Sequence, residues 1–167
     1  MLAKHKDQRI AVFIDIQNLY YSAKNLYHAK VNFAEILKVA IAGRKLVRAF
    51  AYVVRTKSGD EKPFFEALES FGIEIRVKDL QEYADGLKKA DWDVGITVDA
   101  IRISPGIDTV VLVSGDGDFL QLIEYLKNQG KRVEGISFGK TTSSKLKEIL
   151  DDHVDLDKQA KKYLITT

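Results

Sequence analysis

Four consecutive aliphatic residues, Val110-Val111-Leu112-Val113, run directly into Ser114-Gly115-Asp116-Gly117-Asp118-Phe119. A short apolar run bounded by glycine is expected of a strand buried on both faces, and Phe119, Leu122, Ile123 and Leu126 then recur at helical spacing. Two carboxylates therefore stand where a strand hands over to a helix. In an open parallel sheet that is the carboxyl edge, where ligands bind, and glycine lets the backbone turn tightly there. Asp118, with Gln121 three residues on, fits a capping box, so its structural expectation is a helix cap. Asp116 has no such role, and a second acid this close is repelled unless a cation or donor offsets it.

A second run of the same kind, Ile10-Ala11-Val12-Phe13-Ile14, ends in Asp15, with Asn18 in the first turn of a helix expected to reach Tyr27. Further helices are expected over about 32–42, stopped by Gly43, and from Pro63 to Gly72. Strands are expected over 46–55 and, as a half-wet sheet edge, over 73–77. The least patterned stretch, 81–90, contains Lys88-Lys89 and reads as a loop or short irregular element near the working edge. Asp91-Trp92-Asp93 opens a helix whose inner face is expected to be Val94, Val98 and Ile101; both acids suit a helix start. Asp99 lies six residues after Asp93, roughly 120° round the helix, so the two do not face one ion together. A strand over 131–137, a helix over 141–150 with Ser143 as cap, a short strand over 151–157 and a terminal helix over 158–164 complete the chain.

Strands alternating with helices predict a single-domain, three-layer α/β/α fold with a mainly parallel, Rossmann-like central sheet. One domain over 1–167, with a core of about 9–156, suits the length. The strands ending in Asp15 and Asp116 are expected to be neighbours at the point where strand order reverses. The net charge of +2 announces no polyanion partner through a global field, so any such partner must be held locally. The absence of cysteine excludes disulfides, thiolate zinc sites and a cysteine nucleophile. His5, His28 and His153 are scattered and are expected at the surface. No stretch resembles a secretion signal or a membrane span, which makes a cytoplasmic location the expectation.

Clustered carboxylates without histidine or cysteine form an oxygen-only site suited to Mg2+ or Mn2+. Such an ion partners phosphates and can generate a nucleophile from water, so the implied reaction is phosphodiester hydrolysis. Other motifs fit less well. In Gly115-Asp116-Gly117 the third glycine of a dinucleotide fingerprint is replaced by Leu120, no Walker lysine or serine elbow is present, and Gln17 stands where an aspartyl-phosphate phosphatase needs an acid.

Three segments resemble the NYN domain family of PIN-like nucleases, in its LabA-like subgroup: Phe13-Ile14-Asp15-Ile16-Gln17-Asn18, the stretch from Lys89 to Ala100, and Val111 to Phe119. The closing stretch from Ser143 to Leu156 is also similar. The resemblance implies a PIN-like fold and a metal-dependent ribonuclease acting on RNA. It implies Asp15, Asp93 and Asp116 as metal ligands, Asp118 as a fourth catalytic and ligating acid, and Asn18 and Ser114 orienting water, metal or phosphate. Asp91 and Asp99 are placed in the layer behind them.

On this reading Lys88 and Lys89 hold phosphates. Tyr20, Tyr21 and Trp92 are available to stack a base, with at least one of them expected in the core. A homo-oligomer is compatible with the sequence. The competing reading is a non-catalytic RNA-binding or regulatory module on the same fold, although clustered acids do nothing for a pure binder of polyanions. A Toprim-like enzyme is the third reading, but it expects glutamate where Asp15 stands.

Overall fold

The computed structural model describes residues 4–82, 88, 89 and 91–165, those at 81, 82, 88 and 89 through their backbone alone. The first strand, β1 (Arg9–Asp15), sets the layering because its side chains alternate between two apolar faces. Ile10, Val12 and Ile14 enter one core and Ala11 and Phe13 the other, all of them fully buried. Then follow α1 (Ile16–Tyr27), β2 (Lys30–Val31), α2 (Phe33–Ile41), β3 (Lys45–Arg55), α3 (Lys62–Ser70), β4 (Glu74–Asp79), β5 (Gln81–Glu82) and β6 (Lys88–Lys89). The second half contains α4 (Asp93–Ile103), β7 (Thr109–Val113), α5 (Leu120–Asn128), β8 (Arg132–Ser137), α6 (Ser144–Ile149), β9 (Asp152–Asp155), α7 (Ala160–Tyr163) and β10 (Leu164–Ile165).

Six strands form one parallel sheet in the order β4-β3-β1-β7-β8-β9. The chain builds outward from β1 to β4, then returns to lay β7 against the other side of β1, so strand order reverses between β1 and β7. This is the switch point of a doubly wound sheet, where two consecutive crossovers diverge and leave a crevice at the carboxyl ends. Helices α1, α2, α3 and α7 cover one face through Leu19, Ile36, Leu68 and Tyr163, while α4, α5 and α6 cover the other through Ile96, Ile123 and Leu146. The three layers and the adjacency of the two aspartate-ended strands are as expected from the sequence.

Several local expectations are corrected. In α4 the buried residues are Ile96, Asp99 and Ala100, and Val94 is 76% exposed, with Val98 and Ile101 also outward. Two apolar stripes compete along this helix, and polar contacts decide between them: the Tyr52 hydroxyl donates to Asp99 Oδ2 (2.8 Å), and Arg76 lies 3.3 Å from the same oxygen. The stretch expected to be a loop or short irregular element contains two two-residue strands, β5 and β6, paired antiparallel, while 83–87 and 90 lie outside the described residues. The expected terminal helix is shorter, and β10 pairs with β2 in a small antiparallel ribbon. His153 is half-buried rather than superficial, hydrogen-bonded to Ser137 (2.8 Å), and burial lowers its pKa below the usual histidine value. Ser143 occupies the position before α6 without a side-chain cap bond.

Candidate metal centre

The site begins with Asp15, the last residue of β1 and also the cap of α1: its Oδ1 accepts the Asn18 N–H at 3.4 Å. The other carboxylate oxygen accepts the Ser114 hydroxyl (3.0 Å), reaching across to the end of β7. Asn18 returns the connection, since its Oδ1 accepts the Gly115 N–H at 2.9 Å. Side chains from two neighbouring strand ends are thus cross-tied, and the backbone of the acid turn is fixed relative to α1. Ser114 also accepts the Asp116 N–H (3.2 Å), so one hydroxyl orients both acids.

The role expected of Asp118 belongs to Asp116. Its Oδ1 accepts the Asp118 N–H at 2.9 Å because a 3-10 turn, Gly117–Phe119, precedes α5 and moves the cap two residues back along the chain. Asp118 itself is exposed on that turn. Asp91 holds the start of α4, accepting the Asp93 N–H (3.3 Å), while Lys78 donates to the Asp91 carbonyl (2.7 Å). Trp92 packs against Tyr52, and its indole N–H donates to the Val53 carbonyl (3.0 Å), which fixes the helix entry at the end of β3.

The result is a meeting of three elements. One carboxylate oxygen each from Asp15, Asp93 and Asp116 lies within 4.8 Å of the others. Asp118 stands outside this group but is close enough to raise the Asp93 pKa. Asp99 is turned into the protein against Tyr52 and is not part of the cluster, as its helical offset from Asp93 required. The backbone of Lys88 and Lys89 forms β6; their side chains lie outside the described residues.

Electrostatics mark the cluster as unbalanced. Asp15, only 8% exposed, is raised to about 6, chiefly by burial, with Asp116 and Asp91 adding repulsion against the hydrogen bonds from Asn18 and Ser114. Asp93 is raised to about 7 by burial and then by Asp116, Asp91, Asp15 and Asp118, all acting in the same direction. One buried and two half-buried carboxylates that repel one another and offer only oxygen fit a hard divalent cation, which would relieve both penalties.

The wall behind the acid turn is not evident from the sequence. A Cβ on Gly115 would lie 2.8 Å from Thr142 Oγ1, and one on Gly117 would lie 3.2 Å from Ser143 Oγ. The two glycines therefore allow the hydroxyl-bearing segment before α6 to close on the turn. The run Thr141-Thr142-Ser143-Ser144 is the only sequence signal of that wall.

Comparison with known proteins agrees with this fold. A protein of unknown function from Vibrio parahaemolyticus has a crystal structure that matches with a TM-score of 0.87 at 33% identity, covering 98% of this chain and 100% of that one. Low amplitude and bright protein LabA from Synechococcus elongatus is 28% identical over 167 residues, covering 91% of this chain and 86% of LabA. The NYN domain model matches residues 9–157, a span that begins with β1 and includes all three clustered aspartates. The chain therefore belongs to the NYN domain family, a family of PIN-like nucleases.

Proposed function

We propose that this protein is a metal-dependent ribonuclease that hydrolyses RNA phosphodiesters in the cytoplasm, with Asp15, Asp93 and Asp116 holding Mg2+ or Mn2+. The observation that carries the reading is the convergence of these three carboxylates, from three separate elements, to within 4.8 Å at the switch point of the sheet. A divalent ion held there would supply Lewis acidity and would activate a water for phosphodiester hydrolysis.

The chain's own residues do the positioning. Ser114 and Asn18 fix Asp15 and the backbone of the acid turn, so the ligand oxygens are set before any ion arrives. Asp118 serves as a fourth acid at the mouth, and Lys88 and Lys89 hold substrate phosphates. Asp91 orders the helix start that presents Asp93. Asp99 acts at a distance by seating α4.

The direct test is cleavage of single-stranded, hairpin and transfer RNAs with Mg2+, Mn2+ or EDTA, comparing the parent with Asp15→Asn and Asp116→Asn. Metal-dependent cleavage lost in both variants supports the proposal. A pure parent protein that cleaves no RNA or DNA with either metal overturns it in favour of a regulatory module on a nuclease fold.

A further inference from the structure

Of Tyr20, Tyr21 and Trp92, the structure commits one to packing and frees two. Trp92 is packed on Tyr52 with its N–H bonded to Val53. Tyr20 and Tyr21 lie on the solvent side of α1, 46% and 53% exposed, in edge-on contact with ring centroids 5.3 Å apart. Among the described residues neither phenol has a hydrogen-bond partner, so packing leaves both rings free to meet a ligand.

The two rings border apolar grooves that open beside the acid edge. The first, of about 340 Å3, is lined by Gln17, Tyr20, Tyr21, Val53, Phe64 and Leu80. Gln17 is two residues beyond Asp15, and Val53 follows Tyr52, the register partner of Asp15, so this groove starts at the edge that bears the cluster. A second groove, of about 260 Å3, shares Ile16, Tyr20 and Phe64 with the first and runs on to Lys30.

Charge along this route favours a polyanion. Lys24 lies 5.9 Å from the Tyr20 ring centroid, and among the described residues neither Lys24 nor Lys30 has a carboxylate partner. One acid, Glu61, lines the first groove; the Thr56 N–H (2.6 Å) and hydroxyl (2.7 Å) hold its carboxylate in place, and its charge stands against those of the two lysines. An apolar protein segment would be served by the groove but not by two unpaired lysines.

We propose that α1 carries a nucleobase-stacking subsite, in which Tyr20 and Tyr21 receive the faces of unpaired bases of a single-stranded polynucleotide whose phosphates are held by Lys24 and Lys30. Duplex bases present no free face, so the subsite selects single strands, and stacking is tolerant of base identity. The direction of the strand, from Lys30 past Tyr20 toward Asp15, rests on the nuclease reading; the stacking does not.

The test is fluorescence anisotropy of the full chain in EDTA with labelled oligouridine, oligothymidine and a hairpin duplex. Tyr20→Ala and Tyr21→Ala are each expected to weaken single-strand binding by about 5- to 100-fold. Tyr20→Phe and Tyr21→Phe keep it near the parent value, and duplex binding is unmoved by any of the four. Lys24→Gln weakens every single strand and flattens the salt dependence. 2-Aminopurine placed along the oligonucleotide loses emission on binding the parent and regains it with the alanine variants.

Comparing oligouridine with oligothymidine separates ribose recognition from stacking alone. Folded alanine variants that bind as the parent does, a parent that binds no single strand, or a preference for duplex would each overturn the subsite. Asp15→Asn measured in parallel keeps the two readings apart. Tyrosine-dependent binding without cleavage by the parent sinks only the nuclease reading, while metal-dependent cleavage indifferent to both tyrosines sinks only the subsite.

Discussion

Asp15 closes a strand, caps a helix and faces two other carboxylates, and these demands conflict. Its cap and its bond from Ser114 hold it in place, yet burial raises its pKa to about 6. A carboxyl whose folded pKa lies above its unfolded value of 3.8 contributes stability that is full below 3.8 and is lost as pH rises through 6. Asp15→Asn keeps an oxygen for the cap and has no charge to bury. In EDTA its melting temperature should therefore exceed the parent's at pH 8 by a few degrees, with the gap closing as pH falls toward 4. Taking the difference between the two proteins removes His153, whose lowered pKa has the opposite sign. A variant less stable than the parent at pH 8 would show that Asp15 is structural first. Metal adds the complementary expectation: protons coupled across Asp15 and Asp93 must leave, so Mn2+ affinity should rise between pH 6 and 8, with proton release measurable by calorimetry in buffers of different ionisation enthalpy.

Helix α4 shows how an element carries a site without contributing all of its acids. Asp93 sits at its first residue, so the direction of the helix decides where that carboxylate points, and Tyr52 through Asp99 sets the rotation. This rotation was not legible in the sequence, because an outward stripe of Val94, Val98 and Ile101 is as apolar as the inward alternative of Ile96, Ala100 and the half-buried Ile103. The tie is broken at Asp99 by the buried Tyr52 hydroxyl, 47 residues away in the chain, and by Arg76. Tyr52→Phe should cost about 1–2 kcal/mol in urea unfolding and weaken Mn2+ binding through Asp93, although no ligand is altered. Gly95 is the second control point, since a Cβ there would collide with the Trp92 ring. Gly95→Ala should cost about 1–3 kcal/mol and move the emission of Trp92, the single tryptophan, to longer wavelength. Unchanged emission would mean that the helix entry adjusts without releasing the indole. The acid turn, by contrast, was legible because an apolar strand, glycines and paired aspartates occupy consecutive positions; only the cap assignment failed, displaced by a 3-10 turn that leaves no periodic signal.

At the scale of the whole molecule, the sheet was legible because each buried strand carries its own signal and right-handed crossovers leave few arrangements. The two-residue ribbon of β2 and β10 was not, since so short a pairing depends on packing that brings Leu164–Ile165 against the α1–α2 connection rather than on local propensity. Nor was the charged pair inside the α1/α2 core: Arg44, after α2, donates from Nη1 and Nη2 to Glu134 of β8 at 2.8 and 2.9 Å, with its side chain fully buried. Glu134 is in register with Val111, and Val111 with Val12, three residues before Asp15, so the pair lies within the body of the sheet and not at its acid edge. Its work is to join the first half of the chain to the second. Glu134→Ala leaves a buried guanidinium whose remaining partners are the Ala40 and Ile41 carbonyls and Gln8, and should cost about 3–5 kcal/mol. Replacing both partners by apolar residues, Arg44→Met with Glu134→Leu, should recover much of that loss, reduced by what Arg132 gives up when Glu134 goes. Urea midpoints at constant slope test the stability, and Mn2+ affinity below the melting range tests the separation. An intact metal site in a weakened single variant would show that the halves of the fold can be loosened without disturbing the edge where β1 and β7 meet. A matching loss of metal affinity would show instead that the aspartates are held at their spacing by the whole sheet.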